Sequence, residues 1–292
     1  MSSKEPLTTD EIAARVAADI EAGSVVNLGI GRPTAVADHL RPGSGVVLHT
    51  ENGMLNMGPR ATGDDVDPDL TNAGKQPVTE LPGASYFHHA DSFAMMRGGH
   101  LDVCVLGAYQ VSRDGDLANW STGKGAIPAV GGAMDLVQSA KRVAVVTDHV
   151  TKTGEPKLVD TCTMPLTGVQ CVTRVYTSLA VVDIAEGHFV LREKLPAISF
   201  DALQDLTGAE LKTEGPVADL TVPETCPPAF LWSMYPGGVG PKARRGQSPL
   251  PAKTDRVRRA FRAALRWIRP RRPSAGSAHR APPPPPPAPA AG

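Results

Sequence analysis

The sequence predicts an α/β protein: an open, mainly parallel sheet flanked by helices, with a disordered basic, proline-rich C-terminal tail. Three observations carry this. Short apolar runs rich in β-branched residues recur along the first two thirds of the chain, and Gly-rich turns and helix-like segments separate them. The 292 residues are 41% hydrophobic, enough to bury a large core. Composition then changes abruptly. Thirteen of the 30 basic residues but only one of the 30 acidic ones follow Gly237, so a tail of charge +12 hangs from a body of charge −12.

The first element is a helix. Thr8 and Glu11 have capping-box spacing, Ile12, Val16, Ala17 and Ile20 share a face, and Gly23 supplies a stop. Strands are expected at Val25 to Leu28, Val46 to Leu48, Val103 to Leu106, Val143 to Thr147 and Leu179 to Ile184. Glycines and small polar residues crowd the ends of these runs, in NLGIGRPT (27 to 34), RGGH (97 to 100) and VGGAMD (130 to 135). Ligands of open α/β sheets bind outside the carboxyl ends of strands, so these loops are where a site is expected. The body is read as residues 1 to 222. Residues 223 to 292 are read as linker and tail: PPPPPP cannot pack, while Val257, Phe261, Ala264, Leu265 and Ile268 keep helical spacing among arginines.

Several chemistries find little support. Cys104, Cys162, Cys171 and Cys226 are scattered without a Cys-x-x-Cys pair, and read as free thiols rather than zinc ligands or redox pairs. NLGIGRPT lacks the third glycine of a dinucleotide fingerprint, and no phosphate-binding Gly-Lys-Ser/Thr loop or Gly-x-Ser-x-Gly elbow occurs. Pro33 suits the first position of a helix. His88 and His89 point to opposite sides of an extended chain and read as a solvated pair, not a metal site. His49 and His100 read as hydrogen-bonded structural residues. The N-terminus has no apolar signal core and no run approaches a membrane span, so the expected compartment is the cytoplasm.

Glu51 poses the functional question. It follows the buried run GVVLHT and precedes Asn52-Gly53, a pair suited to a tight turn with positive φ. A carboxylate there is either a solvated turn residue or a group held at a strand end for chemistry, and spacing alone leaves both open.

The succession of segments resolves this. NLGIGRPT, HTENGMLNMGP, DPDLTNAGK, DSFAMMRGGHLD, GDLANW, AVGGAMDLV and CTMPLTG occur in an order that resembles the β (B-type) subunit of the family I CoA-transferases, over roughly Leu7 to Val222. The resemblance implies that Glu51 is the nucleophile that carries CoA as a glutamyl thioester, with Asn52 and Gly53 as its motif neighbours. It implies that Gly131 and Gly132 form the glycine loop facing it, though such a pair equally serves a tight turn before a helix. No metal, nucleotide or redox cofactor is implied, since CoA esters are the substrates. The implied partner is an α (A-type) subunit. YFHHADSFAMMRGGHLD, LANWSTG and TKTGEPKLV look more like the 3-oxoadipate branch, acting with succinyl-CoA in aromatic-compound catabolism, than like the acetoacetate branch.

Asn56 and Thr50 depart from the family's usual Gly and Ser, and Arg32 replaces a usually apolar residue. Two readings of other classes remain alongside: a non-catalytic module that senses CoA esters or sugar phosphates, and a nucleic-acid or membrane adaptor resting on the tail.

Overall fold

The computed structural model describes residues 5 to 123 and 130 to 223. Helix α1 (Thr9–Asp19) opens with the capping box: Thr8 Oγ1 accepts the Glu11 N–H at 3.2 Å and Glu11 accepts the Thr8 N–H at 2.8 Å. Ile12, Ala13, Val16 and Ala17 form its buried face. The helix stops at Asp19, because Ile20 is already extended. Gly23, at φ +77°, instead turns the chain toward the first strand and donates to Ser44 O at 2.9 Å.

The chain continues through β1 (Val25–Leu28), a 3-10 segment (Arg32–His39), β2 (Val47–Thr50), β3 (Met54–Arg60) and β4 (Val78–Tyr86). Helix α2 (His89–Arg97), β5 (Val103–Gly107), β6 (Gln110–Ser112) and β7 (Leu117–Ala118) come next. After α3 (Ala133–Ser139) follow β8 (Arg142–Val146), β9 (Leu158–Val159), β10 (Arg174–Tyr176), β11 (Ala180–Ala185), β12 (His188–Lys194), α4 (Phe200–Asp205) and β13 (Leu211–Asp219). Pro33 is the second residue of the 3-10 segment, in its first turn, where its missing N–H costs nothing.

Ten strands form one sheet in the order β13-β12-β11-β10-β8-β5-β1-β2-β3-β4. From β10 to β2 every pairing is parallel, and four of these five strands are the largely buried, mostly apolar runs VVNL, VLHT, VCVLG and RVAVV. The flanks differ. On one side β2-β3-β4 pair antiparallel, and on the other β10-β11-β12 do, with β13 parallel to β12. The run around Leu179 to Ile184 is therefore a strand of antiparallel hairpins rather than of βαβ units. The two residues between β11 and β12, Glu186 (φ +50°) and Gly187 (φ +72°), both take the left-handed conformation that a tight hairpin needs. A smaller sheet, β7-β6-β9, lies apart from the large one in the pairing.

An ion network ties α1 to the far flank. Arg15 forks onto Glu193 and bonds Asp19 at 2.5 Å; Asp19 also accepts Tyr176 OH at 2.8 Å and Arg174 at 3.0 Å. Asp183 then joins Arg174 and Arg192. The linker and tail expected from residue 223 onward lie, apart from Pro223, outside the described residues. Among the described residues no helix is long and apolar enough to cross a membrane.

Candidate active site

Glu51 sits where β2 turns back into β3. Thr50 pairs with Met54, Thr50 O accepts the Gly53 N–H at 3.2 Å, and Thr50 Oγ1 accepts the Met54 N–H at 3.0 Å, which closes a three-residue connection. Gly53 is required there. Its φ is +108°, and a Cβ would lie 2.2 Å from Phe87 O. Asn52 is exposed and donates to Thr71 O at 2.8 Å, so it anchors the turn to the segment before β4. Glu51 instead extends its carboxylate toward the start of α3.

Beneath the turn lies a buried lattice. Ser92 Oγ of α2 donates to Thr50 O at 2.9 Å and accepts the His49 Nε2–H at 3.0 Å. His49 Nδ1 is then left to accept from Asn27 Nδ2 at 3.0 Å, a tautomer assigned from the hydrogen-bond pattern. Burial lowers the His49 pKa to about 4, so the ring is neutral. This fixes the end of β2 against β1 and α2. His49 thus plays the structural part expected from its sequence context, whereas His100 is exposed with its ring against Gly98.

The carboxylate is pulled in two directions. Burial raises the Glu51 pKa most strongly, and Asp135 of α3 adds to the rise. The Gly132 backbone N–H, which faces the carboxylate, and the nearby His89 both lower it. Gly132 has no room for a side chain, since a Cβ would lie 2.7 Å from Glu51 Oε2 and 3.1 Å from Phe93 Cζ. Gly131 is different. It is exposed, at φ +62°, with nothing within 4 Å of a would-be Cβ, so it turns the chain into α3 and only Gly132 meets the glutamate.

Four residues near Glu51 are not picked out by their sequence motifs. His89 stacks on Phe93 with centroids 4.8 Å apart, the Arg97 guanidinium lies 5.6 Å from the same ring, and Arg97 Nε donates to Asp135 Oδ1 at 2.7 Å. Phe93 and Arg97 are four apart on α2, a spacing that places them on one face. That spacing is the available signal. His88, by contrast, caps α2 by accepting the Ala90 N–H at 3.1 Å. Among the described residues no three His, Cys, Asp or Glu gather as metal ligands.

The first glycine loop lies one strand over. Gly29 donates to Val105 O at 2.8 Å and is so close to β5 that a Cβ would meet Leu106 Cδ2 at 2.8 Å. Arg32 forks onto Asp148 at 2.7 and 2.6 Å. Asn56 adopts φ +63° at a bulge between Leu55 and Met57 and donates to Pro82 O at 2.9 Å. An asparagine where the family usually has glycine keeps that left-handed backbone, so the departure is conformationally conservative. Cys104, Cys162 and Cys171 are free thiols. Burial pushes Cys104 upward, and Cys162 and Cys171 up to about 11, which suits inert cysteines.

A sheet of this topology, with a carboxylate at a strand's C-terminal edge facing a helix start, defines an open α/β protein with its candidate site at the strand ends. The chain belongs to the Coenzyme A transferase family, which it matches over residues 9–205. It is 57% identical to the B-type subunit of 3-oxoadipate CoA-transferase from Acinetobacter baylyi, over 72% of this chain and 97% of that one. It is 46% identical to the B-type subunit of a probable succinyl-CoA:3-ketoacid coenzyme A transferase from Bacillus subtilis, over 67% and 91%. Among solved structures, glutaconate coenzyme A-transferase from Acidaminococcus fermentans has the same fold, with TM-score 0.54 and 15% identity over 75% of this chain and 91% of that one. So does the decarboxylase AibA/AibB, with TM-score 0.55 and 18% identity over 77% and 91%. One fold thus carries two chemistries, and the reaction must be argued from the site.

Proposed function

We propose that this chain is the β subunit of a heteromeric CoA-transferase that moves CoA from succinyl-CoA to 3-oxoadipate through a thioester on Glu51. The observation that carries the reading is the Glu51 carboxylate held at the β2 edge against the Gly132 N–H. The choice of acid rests on the 57% identity to B-type relatives named for 3-oxoadipate, against 44 to 47% for relatives named for 3-ketoacids or only as coenzyme A transferases. An α-type subunit completes the enzyme, as the two-subunit names of these relatives suggest.

The chemistry follows from the carboxylate. Glu51 attacks the thioester carbonyl of succinyl-CoA, the C–S bond breaks, and CoA leaves as thiolate from an acyl-glutamyl anhydride. The thiolate attacks the glutamyl carbonyl, the anhydride C–O bond breaks, succinate leaves, and Glu51 holds CoA as a thioester. The 3-oxoadipate carboxylate repeats the exchange in reverse. A carboxylate is suited to both roles because it leaves as readily as the acids it replaces, whereas a serine ester would hold its acyl group too firmly.

Burial makes the anion reactive by withholding water, and the Gly132 N–H is placed to follow the charge as it develops on the glutamyl carbonyl. The reaction calls for no metal, nucleotide or redox cofactor. We place it in the cytoplasm, where the thiols of Cys104, Cys162 and Cys171 stay reduced.

The test is intact mass spectrometry of the chain coexpressed with an α-type partner and incubated with succinyl-CoA, with borohydride to trap the thioester. A CoA adduct on wild type that is missing from Glu51→Ala supports the reading. A folded, CoA-binding complex that forms no adduct would return Glu51 to a turn residue and favour the sensing module.

A further inference from the structure

Arg32 takes no part in the transfer chemistry outlined above, yet its setting is built. Continuing the β1–β2 register from Asn27↔His49 by two residues places Gly29 beside Glu51, and Arg32 follows three residues later. A second element holds this loop to the Glu51 turn. Thr71 O accepts Asn52 Nδ2 at 2.8 Å, and three residues on, the Cβ position of Gly74 lies 3.6 Å from Ile30 Cγ2.

Beyond β5, the end of β8 presents Asp148, which accepts one hydrogen from each terminal nitrogen of Arg32. That end-on pairing does not use the Nε–Nη2 edge of the fork, which is itself a bidentate face for a carboxylate. Lys157 stands close behind, donating to Thr147 Oγ1 at 3.0 Å and Ala108 O at 3.3 Å. Lys157 thus stands as a second cation near Asp148, on a body that carries excess acid. The pair is also open. The Arg32 and Asp148 side chains are 38% and 42% exposed, and an ion pair so accessible contributes little to stability, so a structural brace is a weak reason for it.

We infer that Arg32 reads the remote carboxylate of a dicarboxylic acid bound at Glu51, and so sets the preference for diacids over mono-acids. The inference rests on the transfer reading above. Succinate and 3-oxoadipate each carry a second carboxylate at the end of the chain, where acetoacetate has only a methyl ketone. An extended six-carbon diacid spans about 6 Å between its carboxyl carbons, from C–C bonds of about 1.5 Å. With its near carboxylate about 3 Å from Glu51, its far end lies about 9 Å away, or about two strand spacings. Arg32 is anchored one strand from Glu51 and its guanidinium reaches to Asp148 after β8, three strands from β2, so the sweep of its side chain crosses that point.

The test uses the chain assembled with an α-type partner. The Glu51 thioester is formed with succinyl-CoA, freed of succinate, and discharged with 3-oxoadipate or acetoacetate, in wild type, Arg32→Leu, Arg32→Lys and Asp148→Asn. Arg32→Leu should lose on the order of 10- to 100-fold in kcat/KM for 3-oxoadipate, while discharge by acetoacetate changes less than about 3-fold. Arg32→Lys should recover part of the loss, because an ammonium keeps the charge without the fork. Asp148→Asn should keep the diacid preference. Equal slowing of both acids by Arg32→Leu and by Asp148→Asn would mean that the pair only braces the loop, and would overturn the inference. So would a wild-type thioester that discharges to both acids alike. Failure of wild type to form any thioester would overturn the transfer reading and this inference together.

Discussion

Gly132→Ala isolates the contact on which the transfer reading depends. The added methyl carbon would stand 2.7 Å from Glu51 Oε2 and 2.9 Å from its Cδ, with Phe93 Cζ at 3.1 Å on the other side. Ordinary contact begins at about 3.5 Å, so the carboxylate must retreat by most of an ångström. The Gly132 N–H would then lose its partner. The backbone itself is not strained, because Gly132 has φ −85°, which alanine adopts freely. What yields is the flexible end of a side chain, so stability should change by less than about 1 kcal/mol.

Chemistry should suffer far more, since a misplacement of about 1 Å is worth about 100-fold in rate. Removing the N–H also removes a group that lowers the Glu51 pKa, so burial and Asp135 act with less opposition and the acid limb of the rate profile should move to higher pH. The assay is the burst of free CoA thiol released by succinyl-CoA in the assembled enzyme, followed across pH, beside thermal unfolding of the same protein. A Gly132→Ala enzyme that bursts within about 3-fold of wild type, with an unmoved acid limb, would refute the argument.

Gly53→Ala tests the turn, because its methyl would meet Phe87 O at 2.2 Å with φ at +108°; a loss of at least about 2 kcal/mol in denaturant unfolding, together with loss of the burst, is expected. At Asn56, φ +63°, alanine should cost about 1 kcal/mol and glycine much less, read as midpoints of urea unfolding. Buried His49 and His149 both have folded pKa values of about 4, below the unfolded value near 6.5. The unfolded chain therefore binds more protons below pH 6.5. Their stabilising contribution is complete above that pH and is lost as pH falls from 6.5 through 4, by up to about 3 kcal/mol per ring. Urea midpoints at pH 7.5 and pH 5 measure this, and equal midpoints would count against it.

Periodicity reveals the central strands because a parallel strand buried on both faces is mostly apolar, as VCVLG is and as VVNL is apart from Asn27. It cannot reveal the antiparallel flanks. β11 is as apolar at its start as its parallel neighbours, and the Glu186-Gly187 turn that reverses the chain is not among the strong hairpin dipeptides. Gly23 misleads for a related reason: a stop glycine belongs just after the last helical residue, and here the helix has already ended at Asp19. At the site, Glu51 and its turn are legible from the Glu-Asn-Gly motif together with the family resemblance. The cluster of His89, Phe93, Arg97 and Asp135 is not, since it joins α2 to α3 across some forty residues and only the fold brings them together.

On the transfer reading, that cluster is what would tune one carboxylate to serve as both nucleophile and leaving group. Asp135 destabilises the Glu51 anion and would, unopposed, favour its protonated, unreactive form. Arg97 offsets it by pairing with Asp135 at 2.7 Å, and His89 offsets it from the other side while stacked on Phe93. The net shift is still upward, with burial its largest cause, and the Gly132 backbone and His89 limit the rise. On that reading Arg97 acts through Asp135. Its loss should shift the pH at which the thiol burst appears upward more than it lowers the burst rate at high pH, whereas loss of Gly132's clearance lowers the rate at every pH.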